Sequence, residues 1–288
     1  MQISQFGRIA FWMLGALLAF SGTAVAIREL SHALSLFEIL TIRTFGGVVI
    51  LSSFLLWKPA LRFELVPRLM HLHLLRGVTH FAAQYGWAMS IQLLPLATAF
   101  AIEFTMPIWV ALLAVLFLGE QMTSSRAISI ALGFLGVLVV VRPGLATFQP
   151  ASLIMLLAAF GFAVNAIFTK KLTRVATTFT ILFWMNLVQL PLAAAGSDPD
   201  FVFRITMADV PAALGFAVTG LMSHYCLTNA FRAGDASVVV TLDFLRIPLI
   251  ALVGWLLYGE SLDLFVFAGA GLIITGVLWN LRAESRGA

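Results

Sequence analysis

Two carboxylates, Glu103 and Asp243, lie inside long apolar runs, 140 residues apart, each a few residues before a proline, Pro107 or Pro248. A charged side chain at mid-span costs a few kcal/mol on insertion scales, roughly 2.5–3.5, so it faces a cavity or a partner. The proline removes a backbone donor and disrupts the preceding turn. Freed carbonyls and a carboxylate would then sit together. Such a group can carry a proton or hold a substrate amine; the competing reading is a buried carboxylate hydrogen-bonded to a neighbouring helix. Arg246 follows Asp243 by three residues, so the two can meet on one helix face. Its counterpart 140 residues earlier is Met106, which makes Arg246 a break in internal symmetry. Its guanidinium suits a substrate carboxylate or phosphate bidentately, or it neutralises Asp243 or Glu103.

A second set is polar and aromatic. His80, Gln84, Tyr85 and Trp87 fall in one apolar run, and His224, Tyr225 and Asn229 in another. His80, Gln84 and Trp87 are spaced three and four apart and share a helix face. A histidine here relays protons near neutral pH, or simply hydrogen-bonds a carbonyl. Asn165, Asn186 and Gln189 are weaker candidates, suited to interhelical hydrogen bonds of under about 1 kcal/mol. Trp109 and Trp184 can stack on a flat substrate. Arg43 lies five residues after Glu38 and reads as a substrate ligand, as one half of a structural pair or as an interfacial anchor. No His-Glu-x-x-His or thiolate cluster offers a metal site, and no P-loop offers nucleotide chemistry. The expectation is therefore no metal and no cofactor.

These residues need elements to hold them, and composition says which. Of 288 residues, 61% are hydrophobic and 10% charged, with mean hydropathy +1.02. Soluble domains carry about 45–50% apolar and about 25% charged residues. With lipid as solvent, backbone polar groups must be satisfied inside helices or a closed barrel. Barrel strands alternate in polarity, whereas the apolar runs here are continuous and of helix-spanning length. They predict ten spans: 8–27, 34–57, 71–93, 97–118, 126–142, 151–169, 177–196, 209–231, 237–258 and 264–281. Arg8 and Ala24-Val25-Ala26 imitate a secretory signal with its cleavage site. The length of the run and its recurrence later in the chain favour a retained first helix. The single Cys226 permits no intramolecular disulfide. The formal charge of +4 does not indicate nucleic acid, because the basic residues sit in short loops.

With the N-terminus inside, eleven basic residues fall on the cytoplasmic side: Arg8, Lys58, Arg62, Arg68, Arg126, Lys170, Lys171, Arg174, Arg232, Arg282 and Arg286. Three fall outside: Arg28, Arg142 and Arg204. The positive-inside rule then places both termini in the cytoplasm. The chain also repeats itself 140 residues on. Gly119-Glu120 matches Gly259-Glu260, Gly136-Val137-Leu138 matches Gly276-Val277-Leu278, Tyr85 matches Tyr225, Phe104 matches Phe244 and Arg142 matches Arg282. Leu17, Ala19, Phe20, Ala26 and Ile27 match Leu157, Ala159, Phe160, Ala166 and Ile167. Five spans per copy is odd, so the second copy enters the membrane upside down, an arrangement that places substrate near the midplane. The expected fold is an all-α integral membrane protein of ten transmembrane helices in two inverted five-helix repeats, 1–142 and 143–288. Glu120 and Glu260 read as helix caps that space the following helix. Ala127, Ala131, Ala268 and Gly271 offer small faces, suited to close packing or to a homodimer.

The strings PLATAFAIEFTMPIWVALLAVLFLGE (95–120) and GDASVVVTLDFLRIPLIALVGWLLYGE (234–260) each carry a mid-helix proline and a Gly-Glu exit, with Gly-Val-Leu some sixteen residues on. In this the whole chain resembles the drug/metabolite transporter superfamily, in its EamA-type branch. The resemblance implies alternating access, commonly driven by proton exchange, and substrates such as amino acids, nucleobases or vitamins. Arg43 is similar to a basic residue often found in the family's second helix. The resulting expectation is a multi-pass inner-membrane secondary transporter, not an enzyme, whose partners are a small solute, protons and the lipid bilayer. Its candidate binding residues are Glu103, Asp243, Arg246, His80, Gln84, Tyr85, Trp109, Asn165, His224, Tyr225 and Arg43. The alternatives are an intramembrane enzyme on lipid-linked substrates, with Glu103, Asp243 and His80 as acid-base groups, and a membrane scaffold.

The charge bias yields a direct test. Single cysteines placed in the Lys58–Arg68 and Ser197–Met207 loops on a Cys226→Ala background are expected to react with an impermeant maleimide from outside only in Ser197–Met207. Labelling of Lys58–Arg68 in intact cells would reverse the orientation.

Overall fold

A computed structural model describes residues 5–66, 68–94, 102–141, 150–259 and 264–287, and these are helical with no strand among them. Arg142, Glu260 and the opening of the fourth expected span, 97–101, lie outside the described residues, as do the side chains of Val141 and Arg286. The helices are α1 (Gln5–Leu30), α2 (Leu36–Trp57), α3 (Met70–Leu93), α4 (Met106–Leu118), α5 (Ser124–Val141) and α6 (Pro150–Leu172). They continue as α7 (Thr178–Ala194), α8 (Val210–Ala233), α9 (Ala236–Asp243), α10 (Arg246–Tyr258) and α11 (Leu264–Gly287). One turn at Leu61–Glu64 and a 3₁₀ segment at Pro199–Arg204 occupy the two longer loops. Among the described residues, α1, α2, α6, α8 and the stretch Ala236–Tyr258 are long and apolar enough to cross a membrane, and α4, α5, α7 and α11 contain shorter apolar helices. This is a multi-pass membrane protein.

The 140-residue offset is carried into the helix boundaries. α3 and α8 begin and end in equivalent places, as do α4 and α10, and α5 and α11 begin in equivalent places. Both α4 and α10 end on a left-handed glycine, Gly119 at φ 71° and Gly259 at φ 65°, a conformation that costs a residue without Cβ little.

The described residues form two compact units, each drawing on both halves of the chain: Met1–Met13, Ala82–Ile167 and Ala233–Ala288 in the first, Leu14–Phe81 and Phe168–Arg232 in the second. In the first unit α5 packs on α11. The Ser129 hydroxyl donates to the Gly276 carbonyl at 2.6 Å, while Gly136 lies against the Gly269 carbonyl. Numbering rises along one helix as it falls along the other, so the pair is antiparallel. The two contacts are also images of each other under the 140-residue shift. Phe104, Val137, Phe244, Ile247 and Ile273 form the adjoining core. Of the two roles expected for Ala127, Ala131, Ala268 and Gly271, close packing within the chain is corrected: all four are exposed, and Gly133, Gly136 and Gly276 make the close approach. Glu120 is a cap, but not of the next helix. Its carboxylate accepts from the Ala236 amide at 2.7 Å and from the Ser237 hydroxyl at 2.8 Å, closing the N-terminus of α9.

In the second unit the equivalent helices α2 and α7 also run antiparallel: Thr41 meets Ser197, Arg43 meets Gln189, and Leu51 clusters with Leu182 and Met185. α1 lies along α8, with Thr23 donating to Thr219 at 3.2 Å and Gly15 against Cys226. Ala26, Leu30, Leu34, Ile39, Phe201 and Phe216 close a second apolar cluster.

The α5–α11 contact predicts a steric cost. A Cβ at Gly136 would stand 2.7 Å from the Gly269 carbonyl oxygen, whereas one at Gly271 would meet nothing within 4 Å. Gly136→Ala is expected to destabilise by about 1–3 kcal/mol, as overpacking does, and Gly271→Ala to be near neutral. Melting in detergent checks this, and equal melting of the two variants would refute the packing.

Candidate functional site

The site in the first unit is built by two helix interruptions at equivalent positions. α9 ends on Asp243, a turn follows at Phe244–Leu245, and α10 restarts at Arg246. The same break occurs at Phe104–Thr105, between Glu103 and Met106. Tight bonds span each turn: Leu245 N–H to Leu242 C=O at 3.1 Å and Thr105 N–H to Ile102 C=O at 3.0 Å. Pro107 and Pro248 therefore sit in the first turn of a new helix, where a missing N–H costs nothing. The expectation of prolines in mid-helix is corrected, and Asp243 and Arg246 meet across a turn, not along one continuous helix.

Arg246 Nη2 lies 3.1 Å from Asp243 Oδ2 and 3.3 Å from Glu103 Oε1. Glu103 and Asp243 are only 5% and 8% exposed. The Trp87 indole donates to the other Glu103 oxygen at 2.7 Å. Phe104 and Phe244, themselves equivalent, stack with centroids 6.0 Å apart, and the guanidinium carbon stands 5.1 Å from the Phe104 centroid, within cation–π range. Asp243 Oδ1 is buried without a hydrogen-bond partner. The charge arithmetic is simple. Two carboxylates and one guanidinium carry −1 when all are ionised and zero when one proton is added. In a low-dielectric site the difference matters.

The second unit gathers a different set. Gln189 accepts from Arg43 Nη2 at 2.6 Å and pairs with His80 Nδ1 at 2.9 Å. The His80 and His224 rings meet edge-on with centroids 4.9 Å apart, and Phe20 packs on His224. Arg76 donates to Thr169 at 2.7 Å. The pairing of Arg43 with Glu38 is corrected: Glu38 accepts from the Ser35 amide in its helix-capping box and from Arg204.

The remaining candidates scatter. Trp109 packs edge-on against Phe160 at 5.6 Å, and its indole nitrogen is buried without a partner, as is Gln84 Oε1. Asn165 is buried. Tyr85 and Tyr225 are exposed, at 38% and 40%, unlike the carboxylates. Trp184 is engaged by the Leu65 carbonyl at 3.2 Å, so its indole N–H holds a loop. Arg76 and His73, buried at 2% and 1%, were not singled out by the sequence. Their signal was present, since His73, Arg76 and His80 are spaced three and four apart and share a face. Among the described residues no group of three His, Cys, Asp or Glu side chains is placed to hold a metal.

Residues 7–142 and 149–282 each match the EamA-like transporter family. The chain is 25% identical over 279 residues to a protein of Rickettsia bellii named as an S-adenosylmethionine uptake transporter, covering 96% of this chain and 94% of that one. It is 30% identical over 220 residues to a riboflavin transporter of Rhizobium johnstonii, covering 74% and 71%. It is 27% identical over 269 residues to a pseudopaline exporter of Pseudomonas aeruginosa, covering 92% and 93%. A solved crystal structure shares the fold with TM-score 0.80 at 16% identity, over 96% of this chain and 98% of that one.

The geometry of the carboxylates predicts a charge rescue. Arg246→Met leaves Glu103 and Asp243 facing each other without a cation, and removing one partner of a buried pair costs about 3–5 kcal/mol. Detergent-stable yield is expected to fall sharply, and adding Asp243→Asn to restore much of it. An undiminished yield in Arg246→Met would show that the guanidinium does not hold the carboxylates.

Proposed function

The chain belongs to the EamA-like transporter family and is a metabolite transporter, not an enzyme; from that premise we propose that it is a secondary transporter moving a small polar metabolite by alternating access in exchange with protons. The observation that carries the reading is Arg246 held between Glu103 and Asp243, carboxylates at equivalent positions beside equivalent helix breaks. One added proton cancels the charge of the group, so protonation sets the cost of moving it through a low-dielectric interior. Glu103 and Asp243 exchange the proton in this reading, and Arg246 keeps their charges in balance. Trp87 holds the Glu103 carboxylate in place.

Ten transmembrane helices in two inverted five-helix repeats, 1–142 and 143–288, complete the reading, with both termini cytoplasmic in the inner membrane. The antiparallel packing of α5 on α11 and of α2 on α7, helices equivalent by the 140-residue offset, supports the inversion. Substrate belongs to the amino acid, nucleobase or vitamin class. That breadth fits relatives named for uptake of S-adenosylmethionine and riboflavin and for export of pseudopaline. Gln84 and Trp109 have polar atoms to offer such a solute, and Asn165, Tyr85, Tyr225, His80, His224 and Arg43 complete the candidate lining. The exposed small faces of α5 and α11 suit a homodimer.

Reconstitution tests the coupling. Proteoliposomes are assayed with radiolabelled S-adenosylmethionine, riboflavin and a panel of amino acids and nucleobases under an imposed pH gradient. Glu103→Gln or Asp243→Asn is expected to cut proton-driven accumulation at least tenfold, about 1.4 kcal/mol or more, while counterflow exchange survives in one of them. Full pH-driven accumulation in both variants would exclude the two carboxylates as the coupling site.

A further inference from the structure

The second unit holds a surplus of buried positive charge. Arg43 and Arg76 are 4% and 2% exposed; Gln189 joins Arg43 to His80 and also donates to the Gly77 carbonyl beside Arg76, and the His80 and His224 rings meet edge-on. His73, three residues before Arg76, shares its helix face. The unit's acidic residues do not answer them. Glu29, Glu64, Asp198 and Asp200 are exposed, Glu38 is taken by Arg204, and Asp209 by Thr206 and His32. Among the described residues neither arginine makes an ion pair. A guanidinium cannot deprotonate in a protein, and an uncompensated buried charge costs several kcal/mol. Two close together cost more.

The donors are fixed in place and in part unspent. Arg43 is held by Gln189 at Nη2, and its stem packs so closely on Gly220 that a Cβ there would stand 2.8 Å from Arg43 Cγ and Cδ. Its Nε has no acceptor. Arg76 is held by Thr169 at Nε, and its Nη1 has no acceptor. Both ring nitrogens of His73 are buried without partners. Two guanidinium N–H groups and an imidazole on α2 and α3 thus want acceptors, in an environment that also wants negative charge. Ordered water would satisfy the donors but not the charge.

We propose that Arg43, Arg76 and His73 form a buried site for a small anion, a halide or a carboxylate-sized group. Its occupant is either an inorganic ion or the anionic group of a transported solute. The site is independent of proton exchange at Glu103 and Asp243, because it rests on a different set of residues and calls for the opposite charge.

Anion binding to the purified full chain in detergent tests it without any transport assay. Chloride is titrated into sodium gluconate at constant ionic strength, and the chloride NMR linewidth and the melting temperature are followed. Saturable broadening that formate reverses, with a saturable rise in melting temperature, is expected in the wild type. Arg76→Gln should shift the midpoint at least tenfold, whereas Arg204→Gln, outside the cluster, should leave it in place. Displacement of chloride by S-adenosylmethionine or leucine as well as by formate would assign the site to a solute's carboxylate; displacement by formate alone would assign it to an inorganic ion. No saturable, formate-reversible effect in the wild type would overturn the proposal even if Arg76→Gln fails to fold. An unchanged midpoint in folded Arg76→Gln would overturn it equally.

Discussion

Arg246 cannot shed its charge, and in the interior of a membrane protein that fact dictates what must surround it. One guanidinium nitrogen reaches two carboxylates, Asp243 at 3.1 Å and Glu103 at 3.3 Å, drawn from the two halves of the chain. Both carboxylates close a helical segment immediately before a turn. Without the interruption at Phe244–Leu245 the arginine would continue the helix of Asp243. With it, α10 begins at Arg246 and its first turn accommodates Pro248 at no loss of hydrogen bonding. The stacked Phe104 and Phe244, which make the two turns, wall the charges on one side. Sequence, helix break and ion pairing are one device.

Equivalent helices meet their own counterparts in this fold. α5 lies antiparallel to α11, and the contact Ser129–Gly276 is the image of Gly136–Gly269. A two-fold relation between copies requires that geometry along the axis, since a helix near the axis must touch its own image. Lipid supplies no hydrophobic drive for two apolar helices to associate, so close backbone approach at small residues replaces it. The symmetry stops at the chemistry. Where the second half has Arg246 the first has Met106, and a single guanidinium between two equivalent carboxylates makes the halves chemically unlike.

Much of this was legible in the residues. The apolar runs located the helices, and the 140-residue offset reappears in their boundaries because burial in lipid imposes the same length and punctuation on equivalent segments. The carboxylates and Arg246 stood out because ionisable groups in apolar runs are rare. Pro107 and Pro248 read as mid-helix prolines from the sequence, since apolar character runs unbroken through Phe104 and Phe244 while the backbone turns there. Arg43 was set against Glu38 by sequence proximity, whereas Glu38 takes Arg204 from a loop 166 positions away. Glu120 was read as a cap of its neighbour and caps α9, 116 positions on. Local spacing announces contacts within one helix, and these two are made between distant segments. His73 and Arg76 were different: their shared face was visible, and only the density of charged donors on α3 and its neighbours gives it meaning.

One rule applied to each unit separately leads to opposite demands. In the first, two carboxylates and one guanidinium leave a deficit of positive charge that a single proton fills. In the second, two guanidiniums without a carboxylate leave a deficit of negative charge that a single anion halves. On the proposed reading these demands are met in turn, since exchange loads the proton on one leg of the cycle and the solute on the other. The same loading lowers the cost of burying each set of charges, because each site is closest to neutrality when occupied. Occupancy and the freedom to rearrange would then be linked through electrostatics alone, with no need for direct contact between proton and solute.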